Sequence, residues 1–482
     1  MLDIDEVYKK ANALGYPCAV PMIKVLKAEK KPTEVYAELR KHSENSFLFE
    51  SAVFGEKIAR YSILGSSPEK IISLKHGKMS INGEEVEVDG NPLLLLKKEI
   101  AFKMDKAGFP KFSGGLVGFF SYDYVRYFED IGSSTIDDHG HPDIFFFLIK
   151  DTIVFDHFRD ELLLISNLFI REKGDIEEEY SRAVKKLKFL ERVVNSSTKL
   201  NLRKKVSEVD FESNFSRDDF LRAVEKAKRY IYEGDIFQVV LSQRFSCNFR
   251  GDALKLYLVL KEINPSPYMY CVEAGNMKII GSSPEILVKT EGNKVIVRPI
   301  AGTRPRGKNV VEDEVLAREM VNDEKERAEH VMLVDLGRND IGKIVKFGTV
   351  EVTDFMTIEK YSHVQHIVSN VVGEFQEGRD VFDAMEATFP AGTVSGAPKV
   401  RAMQIIEELE PTERGVYAGS IGYFSLGGDM DFAITIRTIV LQEGRAYIQA
   451  GAGIVADSLP EREYQETVNK GKAMLKAVGL VE

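Results

Sequence analysis

The 482-residue sequence has no tryptophan, only three cysteines and no surplus of basic residues. Each shortage excludes something. Lys plus Arg total 65 against 75 Asp plus Glu, a formal net charge of −10. Nucleic-acid binding draws on a basic surplus, so no nucleic-acid partner is expected. Cys18, Cys247 and Cys271 are odd in number and lack metal-ligand spacing; reduced core thiols are the expectation. No apolar run approaches the roughly 20 residues that a membrane helix needs, so no membrane partner is expected. The opening MLDIDEVYKKANALG is polar and amphipathic, unlike a secretory leader, which leads us to expect a cytoplasmic protein. Neither GxGxxG nor GxxxxGK[ST] occurs, which removes the common nucleotide-binding loops.

What remains is an ordinary globular composition, 44% apolar and 29% charged, in a chain long enough for two domains or one composite fold. Residues 46–170 are rich in alternating strands and turns. A charged helix follows over 172–200. The polar, charged stretch 196–214 reads as a linker between a β-rich domain, 1–195, and a second domain, 215–482. Past the linker, Ser216 caps a helix that ends before Gly234. IFQVVLSQRFSCNF alternates as a strand, and EDEVLAREMVNDEKERAEHVMLVDLG reads as one long helix ending at Gly337. The stretch 419–455 reads as a β-meander, and a last helix starts at Pro460. Strand runs beside helix pairs, without regular βα alternation, predict an α+β fold with large, mainly antiparallel sheets.

The string GSSPE occurs twice, at Gly65–Glu69 and Gly281–Glu285. A second landmark follows each copy: SGGLVGFFSYD after the first, YAGSIGYFSLGGD after the second. From Glu69 to Gly118 is 49 residues, from Glu285 to Gly422 is 137. We infer a duplicated β core, with helices inserted in the second copy.

Chemistry-bearing residues gather in the second half. Glu326 and Glu329 are three apart on one predicted helix, Glu463 and Glu466 three apart on another, so each pair shares a helix face. Either pair alone is an ordinary solvated surface. Facing each other, the four acids suit a hard cation such as Mg²⁺. RPIAGTRPRG offers amides and arginines for carboxylates. ATFPAGTVSGAPK is a Gly-rich loop before a helix N-terminus, a place that favours anions. QAGAGIV would let a ligand approach the backbone. With Arg437 and Lys470, these segments describe a pocket for a small polycarboxylate and a divalent cation. His366, in HVQHIVSNVVGE, is a candidate acid or base.

The motifs DIFQVVLSQRF, NPSPYMY, GSSPEILV, RPIAGTRPRG, AEHVMLVDLGRNDIGK, TFPAGTVSGAPK, YAGSIGYFS and AGAGIVADSLPEREYQET, in this order, closely resemble the chorismate-utilising enzymes, most of all the anthranilate synthase component I branch. The resemblance runs from about 215 to 475, with a weaker match over roughly 15–160. It implies sheets packed face to face with helices outside, in a composite two-part fold. It also implies conversion of chorismate and ammonia to anthranilate and pyruvate, the first step of tryptophan biosynthesis. Glutamine would supply the ammonia through a separate amidotransferase subunit, since no Cys–His glutaminase half is evident in this chain.

Residue roles follow from the resemblance. Glu329, Glu466, Glu463 and Glu326 would hold Mg²⁺. His366, Glu285 and Thr393 would be catalytic, His366 assisting departure of the ring hydroxyl. Gly302, Thr303, Tyr417, Arg437, Gly451, Ala452, Gly453, Lys470 and Gln238 would bind substrate. Ser51, in FLFES, with Pro267, Tyr268 and Met269 would bind tryptophan as feedback inhibitor. Relatives that activate water carry Lys where this chain has Gln238. Relatives that make aminodeoxychorismate carry Lys where it has Ala301. Both differences favour direct attack by ammonia, with aminodeoxychorismate synthase component I as the alternative. A catalytically inert tryptophan sensor is disfavoured by the intact acid and histidine set. An enzyme used when tryptophan is scarce also gains from containing none. Of the two repeated glutamates, Glu285 is expected in catalysis, and Glu69 is expected to be a structural remnant beside the effector element.

Overall fold

The structure, a computed structural model, describes residues 1–52, 60–87, 90–105, 108–200, 209–360 and 364–481. The central part of the expected 196–214 linker, 201–208, lies outside the described residues.

Two twelve-stranded sheets make the core, and all pairings between their strands are antiparallel. The first sheet runs Cys18–Lys27, Glu161–Ile170, Asp151–Asp156, Tyr61–Ser66, Asn45–Glu50, then Tyr268–Ala274, Met277–Ser283, Thr438–Gln442, Arg445–Ile454, Gln238–Asn248. This order is a palindrome. Its first five strands come from the first half of the chain and its next five from the second half, in reverse. The second sheet repeats the device. Lys294–Val297, Ile286–Glu291, Met430–Ile434 and Ser420–Ser425 meet Gly115–Phe120, Ile144–Ile149, Lys70–Lys75 and Lys78–Ile81. Gly422 lies directly across from Gly118 where the halves join. The inferred duplication therefore has a structural counterpart, strand by strand, and each sheet is shared by both halves of the chain.

Side chains from the two sheets interdigitate between them: Phe47, Tyr270 and Val154 from one, Phe119, Phe147 and Tyr423 from the other. Helices cover the outer faces, including Ile176–Ser196, Ala253–Ile263 and Pro460–Gly479 on the first sheet. Among the described residues there are twelve α-helices, and none is long and apolar enough to cross a membrane. All three cysteines are buried.

Both GSSPE strings are crossings from one sheet to the other. Tyr61–Ser66 passes to Lys70–Lys75, and Met277–Ser283 passes to Ile286–Glu291. In each, the glycine lies under an aromatic ring of the paired strand. A Cβ on Gly65 would meet Phe47 at 2.3 Å and one on Gly281 would meet Tyr270 at 2.1 Å. A side chain at either position would expel that ring from the layer between the sheets.

Two expectations change. The single helix over 312–337 is two helices, Val310–Asn322 and Glu324–Gly342. Asp323 breaks them by taking an extended conformation and capping the second, accepting from the amides of Lys325 and Glu326. Gly337 does not end that helix but sits inside it, against Val297 and Pro299. The 419–455 meander is divided: Ser420–Ser425 and Met430–Ile434 belong to one sheet, Thr438–Gln442 and Arg445–Ile454 to the other. The crossing contains Arg437, at φ 51°.

Candidate active site

The two crossings of the second half lie side by side. The Ile434 amide donates to the Glu285 carbonyl (3.0 Å), and the Ser282 amide donates to the Arg437 carbonyl (3.1 Å). Here the sheets part and enclose a cavity of about 270 Å³. Glu285 and Arg437 line it together with Gln238, Ala301, Gly302, Thr303, Glu329, His366, Thr393, Tyr417, Gly451, Gly453, Glu466 and Lys470. Segments scattered from 238 to 470 are thus brought to one space.

Burial governs the chemistry. Glu285 is 8% exposed, and burial pushes its pKa up to about 8. The nearby Thr393 hydroxyl counters part of the rise without reaching hydrogen-bonding geometry; its Oγ1 is buried and has no hydrogen-bond partner among the described residues. At neutral pH Glu285 is therefore a neutral acid. Burial lowers the His366 pKa, with the Arg437 charge adding to the effect. His366 Nδ1 lies 2.8 Å from the Gly302 carbonyl. A carbonyl can only accept, so Nδ1 carries the proton and Nε2 is the ring's acceptor nitrogen. Gly302 adopts φ +63°, and a Cβ there would meet Met320 and Glu326 at 3.1–3.2 Å. That turn presents its carbonyl to the imidazole.

Gln238 Nε2 donates to Glu329 Oε1 (3.2 Å). Burial and the charges of Glu326 and Glu466 raise the Glu329 pKa. Burial also raises Glu463, with Glu466 repelling it. Carboxylates that destabilise one another's charge fit a cation between the helices. Only Glu329 and Glu466 line the cavity itself. Glu326 is held by Arg304 at 2.9 Å, and Glu466 pairs with Lys470 at 2.7 Å. Lys470 also donates to the Gly451 carbonyl (2.9 Å). A tighter three-ligand cluster, His76, Asp137 and Glu413, lies elsewhere. There the Lys75 ammonium already sits 2.8 Å from Asp137 and 3.4 Å from Glu413.

Some expected contributors do not reach the cavity wall. Ala452 is fully buried on the opposite face of its strand, among Phe220 and Ile405, because strand side chains alternate. Only its backbone is left to serve a ligand. The arginines of RPIAGTRPRG bind protein carboxylates: Arg298 pairs with Glu359, Arg304 with Glu326 and Arg306 with Asp313. The helix after the Gly-rich loop starts at Lys399, which pairs with Asp340 (2.6 Å); the cavity meets that loop at Thr393 instead.

The residues expected to form the effector site are close in the strand ladder. Glu50 pairs with Met269, and the Ala52 amide donates to the Ser266 carbonyl (3.0 Å), so Ser51 runs beside Pro267 and Tyr268. Tyr268 donates to Asp431 (3.0 Å), and the Met269 side chain is buried in the core.

A family profile described as chorismate binding enzyme matches residues 79–476. The chain belongs to this family. Among curated relatives, anthranilate synthase component 1 of Acetivibrio thermocellus is 48% identical, aligned over 92% of this chain and 94% of its own length. That of Aquifex aeolicus is 46% identical over 100% and 98%. The solved structure of anthranilate synthase component I from Streptococcus pneumoniae superposes with a TM-score of 0.77 at 42% identity, covering 88% of this chain and 93% of that one. A menaquinone-specific isochorismate synthase of Escherichia coli shares the fold, with a TM-score of 0.72 at 16% identity over 98% of each chain.

Sequence reading of this chorismate-binding enzyme missed one buried unit. Arg414 is 3% exposed and its guanidinium donates to Glu410 (2.6 and 2.9 Å), to the Val394 carbonyl (2.7 Å) and to the Val240 carbonyl (2.6 Å). It ties the Thr393 loop to the Gln238 strand. In sequence, ELEPTERG looks like a charged surface turn; nothing local signals full burial.

Proposed function

We propose that the protein is an anthranilate synthase large subunit, joining ammonia to chorismate and releasing anthranilate, pyruvate and water. The observation that carries this reading is the pairing, in one cavity, of a neutral acid at Glu285 with a histidine whose acceptor nitrogen is defined. Ammonia forms the C2–N bond as the ring double bonds shift and the C4–O bond breaks. Glu285 supplies the proton that lets the hydroxyl leave as water. His366 Nε2 then accepts the C2 proton, the C3–O bond breaks as the ring becomes aromatic, and protonation of the released enolate at its methylene carbon gives pyruvate. The tautomer thus favours His366 as base and gives the leaving-group role to Glu285.

Arg437, Lys470, Tyr417, Thr303 and the backbone at Gly302 and Gly451–Gly453 would hold the two substrate carboxylates. Glu329 and Glu466, backed by Glu326 and Glu463, would hold Mg²⁺, which neutralises charge and orients the ring carboxylate when bound. Gln238 and Ala301 offer neither a base for water nor an amine nucleophile, which favours this product over the aminodeoxychorismate alternative.

A glutamine amidotransferase subunit would deliver the ammonia. Tryptophan bound at Ser51, Pro267, Tyr268 and Met269 would inhibit. On this reading the division into 1–195 and 215–482 is one of task, control against catalysis, within sheets that both halves share. The test is a fluorescence assay for anthranilate with chorismate, Mg²⁺ and an ammonium salt, with product analysis. Aminodeoxychorismate as the main product, or no product, would overturn the reading.

A further inference from the structure

The buried Glu410–Arg414 pair does more than brace the cavity wall: it orients an amide that faces the cavity. Glu410 Oε1 lies 2.9 Å from Ser242 Oγ and accepts from the Ser242 amide at 2.8 Å. A carboxylate in an ion pair has only lone pairs to offer, so the Ser242 hydroxyl donates to it. That hydroxyl is then the acceptor for its other neighbour, Gln449 Nε2, at 2.9 Å. The direction of the chain settles which end of the Gln449 amide is nitrogen. Its Oε1 is left on the other side.

That oxygen has an unusual position. Gln449 is 8% exposed, and its Oε1 is buried without a hydrogen-bond partner among the described residues. Buried acceptors are nearly always satisfied, and an exception calls for a missing partner. Alternation along Arg445–Ile454 puts Gln449 on one face with Gly451 and Gly453, and all three line the cavity. A ligand of that cavity could supply the missing partner.

We propose that Gln449 Oε1 is a ligand-binding acceptor of this site, held by Ser242, Glu410 and Arg414 for an O–H or N–H donor of the bound reactants. This rests on the reaction proposed above. The two carboxylates of chorismate are unsuitable partners, since lone pairs would face lone pairs. Two donors remain: the ring hydroxyl of chorismate and the N–H of ammonia.

Steady-state kinetics of the full chain separates them, with wild type run in parallel and chorismate and ammonium varied independently. Gln449→Met keeps the shape and removes the acceptor. It raises one KM about tenfold, the worth of a hydrogen bond to a buried group, and leaves the other within about twofold. A rise for chorismate assigns the hydroxyl, and a rise for ammonium assigns ammonia. Ser242→Ala, which frees the amide to turn, raises the same KM by a smaller factor. The double variant matches Gln449→Met alone, because the two act as one unit. Both KM values unchanged, both raised equally, or fully additive effects would overturn the proposal while the active wild type left the reaction standing. A wild type that makes no anthranilate would overturn the reaction and this inference together.

Discussion

Asn167 stands in the first copy where Gly451 stands in the second: each is the seventh residue of a ten-residue strand, Glu161–Ile170 and Arg445–Ile454, at matching places in the palindromic sheet. Asn167 Nδ2 donates to the carbonyls of Ser113 and Lys150, both at 2.7 Å. Two residues on, Phe169 stands where the second copy has Gly453, and stacks on Phe102 at 4.5 Å. Side chains fill in one copy the space that glycines open in the other. The repeated glutamates differ accordingly. Glu285 is buried without an ion pair among the described residues, whereas Glu69 has a half-exposed side chain 3.6 Å from the Lys150 ammonium.

Gly451→Asn restores the first copy's residue and should close the cavity. A Cβ at Gly451 would already meet the Tyr417 hydroxyl at 2.7 Å and Val240 at 2.9 Å. We expect a folded protein, destabilised by about 1–3 kcal/mol, with kcat/KM down at least ~100-fold. Circular dichroism melts and the anthranilate assay check both parts; a variant with near-wild-type activity would refute the account of the glycines.

Glu285→Gln should abolish turnover. In the wild type, activity should fall as pH rises through about 8, where the acid loses its proton. The stability effect has a definite sign. The folded pKa is raised, so the contribution of Glu285 is fully present below the ordinary carboxylate range and is lost as pH rises through about 8. The glutamine variant does not titrate. Its melting temperature should gain on the wild type from pH 5 to 9; a widening loss instead would contradict the burial argument.

Glu329→Gln removes a carboxylate that Glu326 and Glu466 destabilise. It should end turnover and weaken Mg²⁺ binding without loss of folding. Titration of the purified variant with Mg²⁺, followed by thermal shift, should show less stabilisation than in the wild type. Equal shifts would remove Glu329 from the metal assignment.

Ser51→Ala should relieve inhibition by tryptophan while activity without tryptophan stays near wild type, because Ser51 is in the first half of the chain and does not line the cavity. Dose–response curves decide it, and an unchanged midpoint would take Ser51 out of the effector site.

Arg414→Met breaks a pair whose side chains are 1% and 2% exposed. Loss of one partner leaves Glu410 as a buried, uncompensated charge, at a cost of about 3–5 kcal/mol. Chemical denaturation should show a loss of that order; a change under about 1 kcal/mol would mean the pair does not brace the fold.

Much of the architecture is written in local sequence. Strand alternation, the Ser216 cap and Pro460 in a first helical turn mark element types, and the repeated GSSPE marks the duplication, since these depend on residues near one another in the chain. The acids three apart on their helices and the Gly-rich strand were likewise legible. Tertiary structure decided the rest. It turned Arg298, Arg304 and Arg306 toward protein carboxylates, and buried Glu410 with Arg414. It also divided two similar glutamates into a neutral acid and a half-exposed ion-pair partner. Desolvation and long-range pairing set these outcomes, and both depend on what another part of the chain brings to the same place.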